Sequence, residues 1–441
     1  MPHILQLASG SFLDSLVGSG RRLTNYMPSS GKPGDTSVTD RIEVLFLDTS
    51  PINVRDKKRN IERYFEMARR YQRLRSGDRV YLQFQLHTDS EIYRSEVLDG
   101  RIDLMEDSVQ ESALNYIEAV IYITRRPFWE GQITSLTLTN GSGSNNTGLT
   151  IYNHDDGTAG HDNWALIGNT AIAGSLPAPL QIEIKNLGTR QVKNVHICID
   201  SLSSSSQNLV AMLEGEAGGV SGGVSTAGSY SNGSTMSFNV NTTSAISWTI
   251  PSATIGYLAG RNIKFLGKFT FSGTVYAQVS LSIAGLTIVK SPEVRLNTQD
   301  YIQDLGTIPV VPGYAGTGWA DISLIISFRS TSNVAMTCDF VQMTFSDDFC
   351  YRYLTSVAAS WLTLDVNDTI MDDGIEGLAF VYSATTIIGR IPMISARGNP
   401  IYVNPFYGYQ KLRFLIDGNS TNVDWTFSVR AWYRPRVNLP V

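Results

Sequence analysis

The stretch Arg79-Val80-Tyr81-Leu82-Gln83-Phe84-Gln85-Leu86 alternates apolar and polar residues with a period of two. Val80, Leu82, Phe84 and Leu86 therefore share one face of a β-strand. Such a strand needs partners, and candidates flank it. Upstream, Ile42-Glu43-Val44-Leu45-Phe46-Leu47 reads as another strand. Downstream, Ser95-Glu96-Val97-Leu98 runs into Asp99-Gly100, a dipeptide that tolerates the positive φ of a tight turn and predicts a hairpin. Tyr116 to Thr124 is a strongly apolar strand stopped by Arg126-Pro127. One helix fits among them. Ser50-Pro51 supplies a cap and a first-turn proline. Ile61, Tyr64, Phe65, Ala68 and Tyr71 then recur at i, i+3, i+4, i+7 and i+10, which makes a single apolar stripe. With a polar arm over 1–40, this predicts an α+β unit spanning 1–131.

From about Ile133 the texture changes to short alternating segments between Gly, Ser, Asn and Pro turns, among them Leu180–Ile184, Val195–Ile199, Ile263–Phe271, Val275–Ile283 and Ile322–Phe328. Many short strands at this spacing predict a jelly-roll β-sandwich over 132–345. A Gly/Ser-rich loop is expected at 201–234, and a further β-region at 346–441. The fold class is mostly β. The composition agrees, with 17% charged and 10% aromatic residues and 38 glycines in 441. Cys198, Cys338 and Cys350 are odd in number and show no C-x-x-C spacing, so buried thiols are expected rather than a disulfide framework or a zinc cluster. The N-terminus has no signal-peptide pattern and no run of about 18 apolar residues occurs. The expectation is a protein made in the cytoplasm that neither leaves by the general secretory route nor enters a membrane.

Five residues could hold a cation: His154, Asp155, Asp156, His161 and Asp162. Carboxylate oxygens suit Ca²⁺ and paired imidazoles suit Zn²⁺. The plainer reading is a solvated polar turn, because the spacing matches no known ligand set. No cofactor is expected, with Ca²⁺ as the single candidate. Asp347-Asp348 and Asp372-Asp373 are the carboxylate pairs that a glycosidase would use, but both lie beside turn residues and read more simply as exposed acids. There is no G-x-S-x-G, H-E-x-x-H or P-loop sequence. The expectation is a protein without catalytic activity.

The overall charge of −5 excludes a polyanion binder on bulk electrostatics. Locally the balance reverses. Arg55 to Arg75 contains nine Lys or Arg against three acids, which leaves the rest of the chain at −11. Arg55, Lys58, Arg59 and Arg63 are the interface candidates, facing nucleic acid or an acidic neighbouring subunit; an ordinary solvated helix face is the simpler alternative. Trp164, Trp319 and Tyr407 could stack on sugar rings if exposed, or serve as rim packing.

By residue 131 the order of elements resembles the N-terminal ring-forming domain of siphophage distal tail proteins and related prophage virion proteins. The resemblance rests on Phe12-Leu13-Asp14-Ser15-Leu16, the helix Ile61–Arg73, Gly77-Asp78-Arg79-Val80-Tyr81-Leu82, and above all Thr124-Arg125-Arg126-Pro127-Phe128-Trp129-Glu130-Gly131. Ile172-Ala173-Gly174-Ser175-Leu176-Pro177-Ala178-Pro179-Leu180 is similar to the lead-in of the attached sandwich. Cys338-Asp339-Phe340-Val341-Gln342-Met343 resembles a late strand of jelly rolls related to carbohydrate-binding modules, which implies a carbohydrate-binding-module-like sandwich, and Tyr433-Arg434-Pro435-Arg436 resembles the terminus of such virion proteins.

What the resemblance implies is a ring, typically sixfold, in the virion. It would join the tail tube protein to hub or fibre proteins at the tail tip or baseplate, with genome DNA passing through without sequence-specific binding. The stretches 201–234 and beyond 346 exceed a minimal member and leave room for a related tail-tip role. The alternative from a different class is a host-surface carbohydrate-binding or baseplate accessory protein. Replacing Arg55, Arg59 and Arg63 with Glu is expected to impair ring assembly more than sugar binding.

Overall fold

The computed structural model describes residues 2–18, 20–32, 34–86, 91–104, 116–153, 155, 158, 160–168, 172–188, 192–202, 212–227, 233–251, 258, 260–298, 302–310, 321–346, 349–355, 367–375, 378–382, 391–392, 398–418 and 425–439. The fold is mostly β with one long helix. The chain forms two units. The first combines residues 1–134, 173–178 and 434–441; the second combines 135–172 and 179–433.

The first unit contains β1 (Pro2–Ser9), β2 (Phe12–Ser15), β3 (Arg21–Tyr26), β4 (Val38–Leu47), α1 (Pro51–Leu74), β5 (Val80–Leu86), β6 (Tyr93–Leu104), β7 (Tyr116–Arg125) and β8 (Trp129–Glu130). The strands pair in the order β2-β1-β5-β6-β7-β4-β3. β6 belongs to both halves, pairing with β5 through Tyr93–Glu96 and with β7 from Val97 onward, with a bulge in the second ladder between Val97 and Asp99. The halves fold face to face. Tyr26 of β3 meets Phe84 of β5 edge-on at 6.0 Å, and Phe84 packs on Trp129 at 5.7 Å. The alternation read from the sequence holds: Val80, Leu82 and Phe84 are buried together with Ile42, Val44, Phe46, Ile121 and Ile123. Each such side chain contributes about 1.5–3 kcal/mol by leaving water.

α1 covers this core with Ile61, Tyr64, Phe65 and Ala68. Ser50 caps it by accepting the Ile52 N–H at 3.3 Å, and Pro51 opens the first turn, where a missing N–H costs nothing. Arg75 ends it in the left-handed conformation. The Asp99-Gly100 hairpin turn expected from the sequence is not there: both residues lie inside β6. Gly100 is required by packing instead, since a Cβ at that position would overlap the Phe65 ring.

The second unit holds two sandwiches, one nested in the other. In the outer sandwich, one sheet runs Gly143–Asn145, Leu138–Asn140, Trp164–Gly168, Tyr409–Gly418, Val192–Leu202, Tyr351–Thr355. Its partner sheet contains Leu149–Tyr152, Thr426–Tyr433, Ala178–Asn186, Thr369–Asp373 and Leu378–Tyr382. Strands of the 346–441 segment thus pair with strands between 138 and 202, completing that sandwich. The inner sandwich enters between Leu202 and Tyr351. Its sheets are Val224–Ala227, Ser234–Val240, Val334–Phe345, Asn262–Phe271, Ile302–Pro309 and Gly219–Val220, Thr243–Ile250, Ile322–Arg329, Tyr276–Ile283, Leu286–Lys290. Within the stretch 201–234 expected as a loop, Met212–Glu214, Gly219–Val220 and Val224–Ala227 are strands at the margins of this inner sandwich. Residues 203–211 and 228–232 of that stretch lie outside the described residues.

The two sandwiches meet across a layer of mixed polarity. Cys198 and Leu415 of the outer sandwich pack with Leu266, Ile302 and Phe340 of the inner one. Buried charge lies beside them: His196, Asp200, Arg413, Lys268 and Asp339 are nearly inaccessible to solvent. Burial pushes the Cys198 thiol up to about 12 and Cys338 well above its ordinary value. Both are packing thiols, and Cys350 is a half-buried thiol that accepts from Arg261 at 3.6 Å.

Candidate assembly site

The signature stretch Arg125 to Gly131 is the most densely bonded part of the first unit. Arg125 ends β7 and is wholly buried, as is its partner Asp40 on β4, with Nε 2.6 Å from Oδ2. Two further donors complete that carboxylate: Tyr26 OH at 3.0 Å and the Ser29 N–H at 2.8 Å. The guanidinium also donates to the carbonyls of Ser29 and Arg126 and lies over Trp129 at 4.3 Å. Burial, followed by the Asp40 charge, pushes the Tyr26 hydroxyl well above its ordinary range, so it stays a donor.

Two other stretches quoted above converge here. The C-terminal strand Arg436–Val437 pairs with β8. Arg436 reaches Glu130 at 3.1 Å and stacks over Phe128 at 3.8 Å. Arg434 donates to the Gly131 carbonyl, while the Gly131 N–H donates to Pro435. The N–H groups of Ser175 and Leu176 both donate to the Arg436 carbonyl. Gly174 sits at φ +101°, where a Cβ would come within 2.8 Å of that same oxygen. Three stretches more than 250 residues apart at their extremes thus form one buried junction. Nothing local in the sequence pairs Glu130 with Arg436. The signal was only that arginine and aromatic residues cluster in two of the three, 125–131 and 433–436.

Among the described residues of the same unit β3 has β4 as its one strand partner and β6 beyond Val97 has β7, which leaves a strand edge open on each apart from the Gly18 bridge to Arg21 and the Arg69 bond to the Gly100 carbonyl. The register places both edges at one level, through the rows Ile102–Ile121–Ile42–Tyr26 and Leu104–Ala119–Val44–Leu23. All three pairings in this four-stranded half are antiparallel, so β3 and β6 run in opposite directions.

The basic candidates lie on α1 as expected. Arg55, Arg59 and Arg63 are exposed, whereas Lys58 is half-buried and paired with Glu62 at 3.0 Å. Arg59 reaches Asp56 at 3.4 Å.

Of the five cation candidates, Asp155, His161 and Asp162 lie among the described residues and each has a partner there. His154 and Asp156 lie outside the described residues. Asp162 accepts the Gly141 N–H at 2.7 Å, Asp155 accepts from the Trp164 indole at 3.3 Å, and His161 stacks on Tyr152 with ring centres 4.1 Å apart. Among the described residues no group of three or more His, Cys, Asp or Glu is placed to hold a metal. Of the acid pairs, Asp372-Asp373 has its partners within the fold. Asp372 is buried against Arg352 at 3.0 Å, Asp373 caps the Ile375 N–H, and Asp347 and Asp348 lie outside the described residues.

Of the stacking candidates, Trp164 is half-buried, with Lys411 4.2 Å from its ring centre. Burial, then the neighbouring Arg413, lowers that lysine to about 8. Trp319 lies outside the described residues. Tyr407 is 44% exposed beside Phe406 at 72%. Gln410 clamps their loop by bonding both the N–H and the C=O of Asn404, at 2.9 and 3.0 Å.

No protein-family profile matches the chain and no curated protein does. Solved structures with some similarity include a carbohydrate-binding module, CBM4 (12% identity, 33% of this chain and 92% of that one, TM-score 0.18). An exo-β-1,3-galactanase from Phanerochaete chrysosporium aligns at 8% identity over 74% of this chain and 83% of that one, TM-score 0.19. The VP2 subviral particle of infectious bursal disease virus aligns at 9% identity over 70% and 82%, TM-score 0.18. These TM-scores are too low to carry over a fold or a role, and the reading below rests on the chain's own geometry.

Proposed function

We propose that this chain is a structural subunit of a phage tail that closes head to tail into a ring, joining the tail tube to the tip or baseplate and acting without turnover. One observation carries the reading: two open strand edges of opposite direction at one level of a four-stranded sheet. When β6 of one copy lies beside β3 of the next, the antiparallel alternation continues unbroken. Each copy thereby covers the edge its neighbour exposes. The contact is heterologous, so it closes if the rotation per copy divides a full turn. The outward side of these strands carries Arg41, Glu43, Tyr122, Arg101 and Asp103, a polar lining suited to a channel that DNA crosses without lodging. The tail tube protein and the hub or fibre proteins would be its axial neighbours.

The test is the mass and symmetry of the full chain by light scattering and negative-stain imaging, compared with Thr24→Pro. Thr24 is the exposed bulge residue that the β3–β4 register skips, so proline there spares the subunit while weakening its open edge. A closed ring that is lost in the variant supports the reading. A monomer at all concentrations, or a ring indifferent to Thr24→Pro, overturns it. The alternative, carbohydrate binding at the host surface, is favoured by the clamped and exposed Phe406 and Tyr407. Glycan-array binding that is lost in Phe406→Ala would support it.

A further inference from the structure

An antiparallel strand turns the N–H and C=O of alternate residues toward the same neighbour. That alternation identifies which groups on β3 and β6 face the open side. Arg21 stands opposite Phe46 in the register, yet it exchanges both backbone bonds with Gly18, at 2.9 and 3.0 Å. Arg21 therefore faces away from β4. So do Leu23 and, past the bulge at Thr24, Tyr26, which stand opposite Val44 and Ile42. On β6 the Gly100 carbonyl accepts from Arg69 at 2.7 Å rather than bonding β7, so Ile102 and Leu104 face outward with it.

Each edge is occupied at one end. Gly100 is satisfied twice: its N–H donates to Asp99 Oδ1 at 2.7 Å, and Arg69, which holds its carbonyl, also donates through Nε to that same Asp99 oxygen at 2.6 Å. Two side chains thus stand where a neighbouring strand would bond. On β3 the Gly18 turn does the same for Arg21. Among the described residues, Ile102 and Leu104 remain on one edge and Tyr26 and Leu23 on the other. These four fall in the two rows that cross the sheet, Ile102–Ile121–Ile42–Tyr26 and Leu104–Ala119–Val44–Leu23. Leu104 is 40% exposed although its row neighbours Ala119, Val44 and Leu23 are buried.

We infer that the Arg69–Asp99 cap and the Gly18 cap fix the register in which β6 of one copy meets β3 of a second copy, setting Leu104 opposite Leu23 and Ile102 opposite Tyr26. This rests on the edge-joined ring proposed above. The aligned register uses two rungs, and both are free. Its rival is a slip of two residues toward Gly100, which opposes Tyr26 to Gly100, Leu23 to Ile102 and Arg21 to Leu104. Without caps that slip would have three rungs and would win. With Gly100 and Arg21 occupied it keeps one. The caps therefore act against the wrong pairing rather than for the right one. Stagger between neighbouring strands is linked to the tilt and diameter of a closed sheet, so one register gives one ring size.

The experiment is disulfide trapping in the full chain under mild oxidation, read on denaturing gels, with circular dichroism checking that each variant folds. Leu23→Cys with Leu104→Cys reports the aligned register, whose opposed Cα atoms stand about 5.5 Å apart, within reach of a disulfide. Leu23→Cys with Ile102→Cys reports the slip. Within one subunit either pair is three strand spacings apart, about 14 Å or more, so a bridge must join two copies. Single-cysteine variants account for Cys198, Cys338 and Cys350. With the caps in place the aligned pair should link the chain into multimers and the slipped pair should not. In Arg69→Met with Asp99→Ala the slip regains a second rung. The slipped pair should then link as well, and negative-stain images should show rings of more than one diameter. A slipped pair that links with the caps in place, or an uncapped chain that keeps one register and one ring size, overturns the inference and leaves the ring reading standing. Rings in which neither pair links overturn the inference and the edge contact together. A wild-type chain that stays a monomer overturns the ring reading, and the register with it.

Discussion

Replacing Asp40 with Ala tests whether the Arg125 ion pair organises the first unit. Both side chains are wholly inaccessible to solvent, so the variant leaves a guanidinium without its counter-charge in the core. Removing one member of such a pair costs about 3–5 kcal/mol. Arg125 keeps the carbonyls of Ser29 and Arg126, at 2.7 and 2.9 Å, which places the loss near the lower end, about 3 kcal/mol. At roughly 1.4 kcal/mol per tenfold, hydrogen-exchange protection of the β4 and β7 amides should fall about a hundredfold. Exchange is the suitable assay because it reads this unit separately from the sandwiches. The double variant Asp40→Leu with Arg125→Met removes both charges and should recover most of the loss. The alkaline limb gives a second readout. Tyr26 titrates higher when folded than when unfolded, so its contribution is complete below pH 10 and is lost as the pH rises beyond that. Without the Asp40 charge that loss should shrink. A change in protection below threefold, or a double variant no better than Asp40→Ala, would refute the reasoning.

Three further outcomes are expected. Gly100→Ala forces a methyl into the Phe65 ring and should destabilise the first unit by about 1–3 kcal/mol in denaturant unfolding, although alanine is ordinarily welcome in a strand or helix. Arg436→Ala removes the Glu130 pair and the stacking on Phe128; a loss of about 3 kcal/mol should appear in β8 and β6 rather than in the sandwiches, read by exchange. His196 is held neutral by burial, down to about 3, so unfolded chains take up its proton first and stability falls as the pH drops from 6.5 toward 3. Asp200, raised to about 7 by burial, acts in the opposite sense between pH 7 and 4. The difference between wild type and His196→Gln isolates the histidine and should narrow on acidification.

Local signals located α1, β5 and β7 well. The stripe Ile61, Tyr64, Phe65, Ala68 and Tyr71 is the buried face, and Ser50-Pro51 is its cap. Asp99-Gly100 misled because a glycine chosen to admit a ring looks in sequence like a glycine chosen to turn a chain. The nesting of the sandwiches was beyond reach for a different reason. Val192–Leu202 pairs with Tyr409–Gly418 across more than 200 residues, and strand periodicity identifies a buried face without naming its partner. The candidate site was half legible. Arg55, Arg59 and Arg63 are exposed on the face opposite the apolar stripe, while Lys58 is half-buried against Glu62. Trp164 is half-buried with Lys411 against its ring, a neighbour that the sequence does not place there.

The buried charges explain why the signature stretches read as a set despite their separation. A carboxylate such as Glu130, nearly inaccessible to solvent, is tolerable only with cations close by; Arg94 and Arg436 supply them from opposite ends of the chain. Removing Glu130 takes the counter-charge from both arginines, whereas removing Arg436 leaves Glu130 to Arg94 at 3.6 Å. The consequence bears on assembly. β6 carries Arg94 in its first half and the open edge in its second, so the junction at Glu130 braces the strand whose far end would meet the next copy. A weakened Arg436 contact should therefore reduce ring formation even though Arg436 is remote in sequence from both open edges.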